Sequence, residues 1–192
     1  DYLYCLEKVY PHCDYVAINI SSPNTENLRR LQDTAPLTRL LQALVDAGAG
    51  HARECGQTRP LVVKIAPDWE EPALRSSLEI IGNSGIDGLI ATNTTLARDA
   101  VAGLPHAAEA GGLSGRPLLA PANRVLKIAR EVLGPGFPII GSGGVMSADD
   151  AIAKLNAGAD LVQLYTGFIY HGPTLIRDCA RAIARHAATG RS

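Results

Sequence analysis

The chain has 192 residues, of which 46% are hydrophobic and 19% charged, so it can bury one sizeable core and lacks the composition of a disordered chain. Its 18 lysines and arginines nearly balance 19 aspartates and glutamates, which gives a formal net charge of -1. That balance leaves no positive field to hold a polyanion, so nucleic acid is excluded as an expected partner.

The first half of the chain alternates between strand and helix patterns. Residues 15–20, YVAINI, form a short aliphatic run, and residues 37–45 carry leucine and valine at helical spacing. Two more aliphatic runs follow, LVVKIA at 61–66 and GLIATN at 88–93. Because these runs are continuously apolar, they predict strands buried on both faces, as in a parallel sheet.

The second half begins with a long connection and then repeats the alternation. Residues 97–115 are rich in glycine and alanine, which suits a loop folded over a site but equally suits a mobile segment. A helical stripe at 125–133 follows, and then two more predicted strands, PIIGS at 138–142 and LVQLYT at 161–166.

Two further helices are marked by their ends. Ser147 and Asp150 form a capping-box-like start, and Gly158 suits the C-terminal cap of the same helix. The last helix places Pro173 in its first turn. Its predicted buried residues are Leu175, Ile176, Cys179 and Ile183.

Strands that alternate with helices predict right-handed crossovers and a parallel sheet, either open and doubly wound or closed into a barrel. An open sheet concentrates its chemistry at one switch point, whereas here all five strands end in polar residues or glycine. We therefore predict an α/β fold of the (β/α)8 TIM-barrel type. Since a barrel has eight strands and ~250 residues, residues 1–192 are interpreted as one partial barrel domain with about the last five units.

The four cysteines, Cys5, Cys13, Cys55 and Cys179, show neither a CxxC pair nor zinc-finger spacing with histidine. We therefore predict reduced, mostly buried thiols and no metal site. No apolar run approaches the ~18 residues that a transmembrane helix requires. The segment itself is accordingly expected to be soluble.

The glycines at 141–144, GSGG, follow a predicted strand and precede a capped helix. Such a segment lets backbone N–H groups approach a phosphate, although the same glycines also suit a tight turn. Because the third glycine of a GxGxxG fingerprint is missing, a mononucleotide is favoured over a dinucleotide.

Two other strand ends carry polar side chains. Lys64 lies within an apolar strand, where its ammonium suits a bound anion or an electron-rich ring, or else a structural salt bridge. Residues 91–95, ATNTT, offer hydroxyls and an amide for the polar edge of a small planar ligand, although the same residues suit an ordinary turn.

Six ordered motifs, taken together, resemble the class 2, quinone-linked dihydroorotate dehydrogenase family. They are INISSPNTENLR, VVKIAPD, GLIATNTT, GGLSGRPL, IIGSGGVMSADDA and LVQLYTGFIYHGP. The resemblance implies an FMN-dependent barrel that oxidises (S)-dihydroorotate to orotate in pyrimidine (UMP) biosynthesis and passes the electrons to a quinone.

The resemblance also implies roles for individual residues. Ser22 matches the catalytic base, for which a related class uses cysteine, and none of the four cysteines falls in this motif. Flavin contacts match Asn19, Lys64, Thr92, Gly115, Gly144, Tyr165 and Thr166. Substrate contacts match Asn19, Asn24, Asn93 and Thr94.

The first three barrel strands of that family and its N-terminal membrane-associating helices have no counterpart in these residues. The resemblance therefore implies peripheral membrane association through a region not present here, at the inner face of a bacterial membrane or at the mitochondrial inner membrane. Two alternatives stay open: another FMN- or phosphate-binding barrel oxidoreductase, and a non-catalytic partial barrel.

Overall fold

A computed structural model of the chain describes residues 1–25 and 28–189. It contains a parallel sheet of five strands that lie side by side in chain order. The strands are β1 Val16–Asn19, β2 Leu61–Ile65, β3 Gly88–Ala91, β4 Ile139–Ser142 and β5 Leu161–Gln163. All five predicted strands are confirmed. Four of them end one to three residues before the predicted boundary, and Asn93 and Tyr165 are polar residues that lie beyond the observed strand ends.

Helices separate the strands and end the chain. They are α1 Tyr2–Val9, α2 Thr34–Cys55, α3 Glu71–Asn83, α4 Leu119–Leu133, α5 Ala148–Asn156, α6 Thr166–His171 and α7 Pro173–Thr189. Short 3₁₀ helices span Tyr10–His12, Leu28–Gln32, Asp99–Val101 and Arg116–Leu118. Within the described ranges, no helix combines the length and the apolar character needed to cross a bilayer.

The predicted cap of α5 is confirmed. The Ser147 hydroxyl accepts a hydrogen bond of 3.2 Å from the backbone N–H of Asp150, which satisfies one of the unpaired donors of the first turn. Gly158 follows the helix with a φ of 109°, a backbone conformation that favours glycine. This turn leads the chain directly into β5.

The core lies between one face of the sheet and the helices. Consecutive helices α1 to α5 pack against their neighbours in chain order, and α7 then packs on α5. Leucines of α2 and α3, including Leu41 and Leu74, are fully buried against Val63 of β2. Burying each such side chain stabilises the fold by about 1.5–3 kcal/mol. A sheet wound in chain order, with helices along one face, is barrel-like rather than doubly wound.

The opposite face of the sheet carries the polar residues. Side chains alternate between the two faces of a strand, so Lys64 points away from the helices that cover its neighbours Val63 and Ile65. The strand register places Asn19 beside Lys64, and Lys64 beside Ile90. The sheet therefore brings two predicted site residues together on its helix-free face.

Two predictions about buried side chains are wrong. Ile176 is 49% exposed, whereas Leu175 and Cys179 are buried in the contact between α5 and α7. A helix turns by ~100° per residue, which rotates Ile176 out of that contact. The prediction of mostly buried thiols is also wrong. All four cysteines lie in the described ranges, and only Cys179 is buried. Cys5 and Cys55 lie on the exposed faces of their helices.

Lys154 of α5 is a buried ammonium whose charge Asp150 compensates only in part. Its side chain is fully buried against Gly141 of β4, and its Nζ has no hydrogen-bond partner among the described residues. Burial lowers the pKa of Lys154 from its ordinary 10.5 to about 8, and Asp150 opposes this shift only in part. Below pH 8 the folded state therefore carries the full cost of the buried charge. Between pH 8 and 10.5 it loses the proton before the unfolded state does, so stability rises with pH.

We accordingly expect Lys154→Met to raise the free energy of unfolding by about 1–3 kcal/mol at pH 7, with a smaller gain at pH 10. Urea unfolding of both proteins at the two pH values measures this difference. Lys127→Met on the exposed face of α4 is the control and is expected to change little. A gain for Lys154→Met that is the same at both pH values would contradict the interpretation.

Candidate active site

A cavity of about 520 Å³ lies at the carboxyl edge of the sheet. Eight of the eleven predicted site residues line it: Lys64, Thr92, Asn93, Thr94, Gly115, Gly144, Tyr165 and Thr166. They come from the ends of β2, β3, β4 and β5 and from the long loop after β3. Residues far apart in the chain thus meet because parallel strands present all their carboxyl ends at one edge.

Asn19 does not line the cavity but is joined to it by hydrogen bonds. The amide of Asn93 donates to the Asn19 Oδ1 and to the Ser21 hydroxyl, each at 3.1 Å. The Ser21 hydroxyl in turn donates to the backbone carbonyl of Lys64 at 2.7 Å. Ser21 is fully buried and was not predicted, although its position beside Ser22 was a signal. The ends of β1, β2 and β3 are therefore held in one network.

Ser22 and Asn24 lie on the loop that follows β1 and do not line the cavity. The backbone N–H of Asn24 donates to the Ser22 hydroxyl oxygen at 3.2 Å. This bond occupies one acceptor position, so the Ser22 O–H remains able to donate elsewhere. It also supports negative charge on the Ser22 oxygen if the proton leaves.

The loop between β3 and α4 folds over these residues, as predicted. Thr95 and Leu113 pair as an antiparallel bridge, with N–O distances of 3.1 and 2.8 Å. Gly112 lies against the Thr94 side chain so closely that a Cβ there would collide with it, and a Cβ on Gly111 would lie 3.2 Å from the Asn24 Oδ1. The loop therefore packs on Thr94 and lies beside Asn24, which stays exposed.

Arg98 holds the covering loop in place. Its guanidinium donates to the backbone carbonyl oxygens of Thr95, Glu109 and Gly111. These three acceptors lie at the two ends of the loop, so a single side chain closes it. No sequence pattern pointed to this residue, because its acceptors are backbone atoms.

The glycine segment after β4 makes a close backbone contact. Gly143 and Gly144 have φ values of 100° and 82°, which favour glycine. A Cβ on Gly144 would collide with the backbone of Leu119. Nearby, the Thr166 hydroxyl donates to the Ser114 hydroxyl at 2.9 Å and joins the start of α6 to the loop after β3. Ser114 lines the cavity and was missed by the prediction.

Lys64 is half-buried at the cavity wall. Burial lowers the pKa of its ammonium, because a charge loses hydration there. Among residues 1–25 and 28–189 no carboxylate forms an ion pair with it, whereas Arg29 and Arg130 each have one. The alternative of a structural salt bridge is therefore wrong for the described residues. The ammonium faces the cavity and can attract an anionic or electron-rich ligand.

A chain-order parallel sheet with its polar groups at the carboxyl edge defines a protein of the (β/α)8-barrel class, in which active sites lie at that edge. The family model described as "Dihydroorotate dehydrogenase" matches residues 1–186. The chain belongs to the dihydroorotate dehydrogenase family.

Curated relatives support the quinone-linked branch. "Dihydroorotate dehydrogenase (quinone)" of Albidiferax ferrireducens is 57% identical over 183 residues, which cover 95% of this chain and 51% of that protein. The protein of the same name from Leptothrix cholodnii is 59% identical, with 95% and 53% covered. The resemblance to the quinone-linked family is thus confirmed. The chain spans about half the length of these relatives.

The fold agrees with solved structures. The crystal structure of DHODH from Eimeria tenella in complex with ferulenol superimposes with a TM-score of 0.90 at 31% identity, covering 99% of this chain and 54% of that one. The ligand-free form has the same TM-score at 32% identity, covering 99% of this chain and 56% of that one. The barrel-type fold predicted from the sequence is confirmed.

Proposed function

We propose that the full-length gene product containing this chain oxidises (S)-dihydroorotate to orotate with FMN as cofactor and a quinone as electron acceptor, in UMP biosynthesis. The observation that carries the proposal is the hydrogen-bonded Asn19–Ser21–Asn93 cluster, which lies beside Lys64 at one cavity. Family membership and the printed names of the relatives point to the same reaction.

The cavity suits a flavin mononucleotide. Its volume of about 520 Å³ lies within the 300–1,000 Å³ typical of small-molecule sites. An ammonium with no ion-pair partner among residues 1–25 and 28–189, a close-packed glycine turn and several hydroxyls match an electron-rich ring that carries a phosphate. The residues that would hold FMN are Asn19, Lys64, Thr92, Gly115, Gly144, Tyr165 and Thr166. When bound, FMN would supply the acceptor for the hydride from C6 of dihydroorotate.

Ser22 is assigned as the base: its oxygen takes the C5 proton while its own hydroxyl proton passes to water. A serine is a weak base at neutral pH, so it requires a nearby group that stabilises its oxygen. The hydrogen bond from the Asn24 backbone N–H supplies such support. The half-buried position of Ser22 limits competition from water.

Four side chains are assigned to substrate binding: Asn19, Asn24, Asn93 and Thr94. Their amide and hydroxyl groups can both donate and accept, as the edge of a pyrimidine ring requires. The Asn93 Oδ1 already accepts from the Thr94 N–H at 2.8 Å, which fixes the orientation of its amide. The loop packs so closely at Gly112 that it leaves no room for a side chain there beside Thr94.

Lys64 is assigned an electrostatic role. Its positive charge lies at the cavity wall without a carboxylate partner in the described ranges. It would stabilise the negative charge that the cofactor ring gains when the substrate is oxidised. The quinone is proposed as acceptor because the relatives carry it in their names. Peripheral membrane association through an N-terminal region is proposed with it, since membrane quinones are apolar.

The test uses the full-length gene product under anaerobic conditions. We expect a visible flavin spectrum that bleaches on addition of dihydroorotate, with orotate as product, and that returns on addition of a soluble quinone. Dihydrouracil, which lacks the carboxylate, is the control and is expected not to bleach it. Bleaching by dihydrouracil alone would favour another pyrimidine reductase, and a colourless protein would favour a non-catalytic partial barrel.

A further inference from the structure

Arg29 connects three loops at the carboxyl edge of the sheet. It belongs to the 3₁₀ helix that follows the Ser22 loop, and it does not line the cavity. Its guanidinium donates to the Ser21 carbonyl at 3.2 Å, to the Asp68 carboxylate at 2.7 Å and to the Thr94 carbonyl at 3.1 Å. These acceptors lie after β1, β2 and β3.

Asp68 extends the connection. The oxygen that accepts from Arg29 also accepts from the Leu96 backbone N–H at 3.0 Å, and its other oxygen accepts from the Thr95 hydroxyl. Both carboxylate oxygens are therefore used on groups of the loop after β3. Arg29 and Asp68 together form a single bridge between the β1 loop and the β3 loop.

The ends of this bridge adjoin the assigned site residues. Ser21 precedes the proposed base Ser22, and Thr94 is itself assigned to the substrate. A planar guanidinium has fixed donor directions, so three acceptors of one Arg29 are held at fixed separations. A shift of ~1 Å in the relative position of a base and its substrate lowers rates by about 10²-fold.

We propose that Arg29 and Asp68 are positioning residues that fix the proposed base, Ser22, relative to the substrate pair Asn93 and Thr94. The inference rests on the proposed function. In this role, Arg29 and Asp68 set the distance between the β1 loop and the β3 loop and do not themselves contact a ligand. Neither side chain is fully buried, with exposed fractions of 22% and 26%, so their replacement is expected to leave the fold intact.

The test compares Arg29→Lys, Arg29→Ala, Asp68→Asn and the double variant Arg29→Ala/Asp68→Asn in the full-length FMN-loaded protein. Lysine keeps the charge but cannot reach three acceptors in fixed directions. We expect Arg29→Lys to slow flavin reduction at saturating dihydroorotate by about 10–100-fold, with normal FMN content and melting temperature. The double variant is expected to be no slower than the slower single variant, because the pair acts as one unit.

Arg75→Ala is the matched control. Arg75 is also a partly exposed arginine with two carboxylate partners, Glu71 and Glu131, but it joins α3 to α4 away from the cavity. It is expected to leave flavin reduction unchanged. Equal slowing by Arg75→Ala would show a general loss of ion pairing and would overturn the proposal.

Hydrogen exchange provides a readout that does not depend on turnover. We expect Arg29→Lys to speed amide exchange at both 21–25 and 94–96, with no change in β4. If wild-type flavin is not reduced by dihydroorotate, the proposed function fails, and the exchange result alone then supports or overturns the bridge. If Arg29→Lys showed wild-type amide exchange rates at both loops, the bridge would be overturned. If it showed wild-type rates of flavin reduction, the positioning role of Arg29 would be overturned.

Discussion

Ser22→Ala in the full-length protein is expected to retain bound FMN and to slow its reduction by dihydroorotate by about 10²–10⁴-fold. The alanine removes the only group of that side chain that can take a proton. The backbone N–H of Asn24, which donates to the Ser22 hydroxyl at 3.2 Å, loses that acceptor. Because this loop is partly exposed, we expect the fold to tolerate the substitution. Stopped-flow absorbance of the flavin under anaerobic conditions measures the rate.

Two serine variants separate the chemistry from the structure. Ser22→Cys restores a side chain that can take a proton, as cysteine does in the related class, and is expected to recover part of the rate at raised pH. Ser21→Ala removes the neighbouring buried hydroxyl, which bonds to the Lys64 carbonyl, and is expected to lower stability as well as rate. Wild-type reduction in Ser22→Ala would exclude Ser22 as the base.

Gly144→Ala is expected to lower FMN occupancy at least tenfold and the free energy of unfolding by about 2–4 kcal/mol. Two costs add at this position. The φ of 82° is unfavourable for alanine, and the new Cβ would collide with backbone atoms of Leu119, which the helix α4 holds in place. The turn must therefore move, and the assigned FMN contacts move with it. Flavin content after purification and thermal unfolding measure both effects.

Gly134→Ala is the matched control for backbone strain. Gly134 has a φ of 77°, and no atom lies within 4 Å of a Cβ placed on it. It follows α4 and does not line the cavity, so the substitution carries the strain without the collision. We expect a loss of about 1–3 kcal/mol, because the φ and ψ of Gly134 suit only glycine, with full FMN occupancy. Similar flavin content in both variants would contradict the assignment of Gly144.

The predictions from sequence were most accurate where a local pattern has one physical meaning. Continuous aliphatic runs placed all five strands, and the Ser147 cap was confirmed as a hydrogen bond to the Asp150 N–H. The predicted ends of the strands were less accurate. Asn93, for example, was included in an apolar run although it is polar and belongs to the loop that follows β3. The prediction that Ile176 is buried was wrong, because spacing alone does not say which edge of an apolar stripe meets a neighbouring helix.

Within the site, the sequence identified residues that lie at the carboxyl end of a strand or just after it. Lys64, Asn93 and Gly144 all line one cavity, as their shared position at strand ends predicts. Ser22 and Asn24 were identified only through the family resemblance, and they lie beside the cavity rather than in its wall. Their role as base and substrate ligand remains a prediction.

By itself, then, the sequence determined the alternation of strands and helices, the edge where the polar residues collect and the family. Only the tertiary structure showed that Ser21, Arg29 and Asp68 join the loops, and that the buried Lys154 Nζ has no hydrogen-bond partner in the part of the chain that is described. The physical reason is distance along the chain. Arg29 reaches Asp68 and Thr94 across 39 and 65 residues, and bonds to backbone carbonyls leave no pattern in side-chain identity.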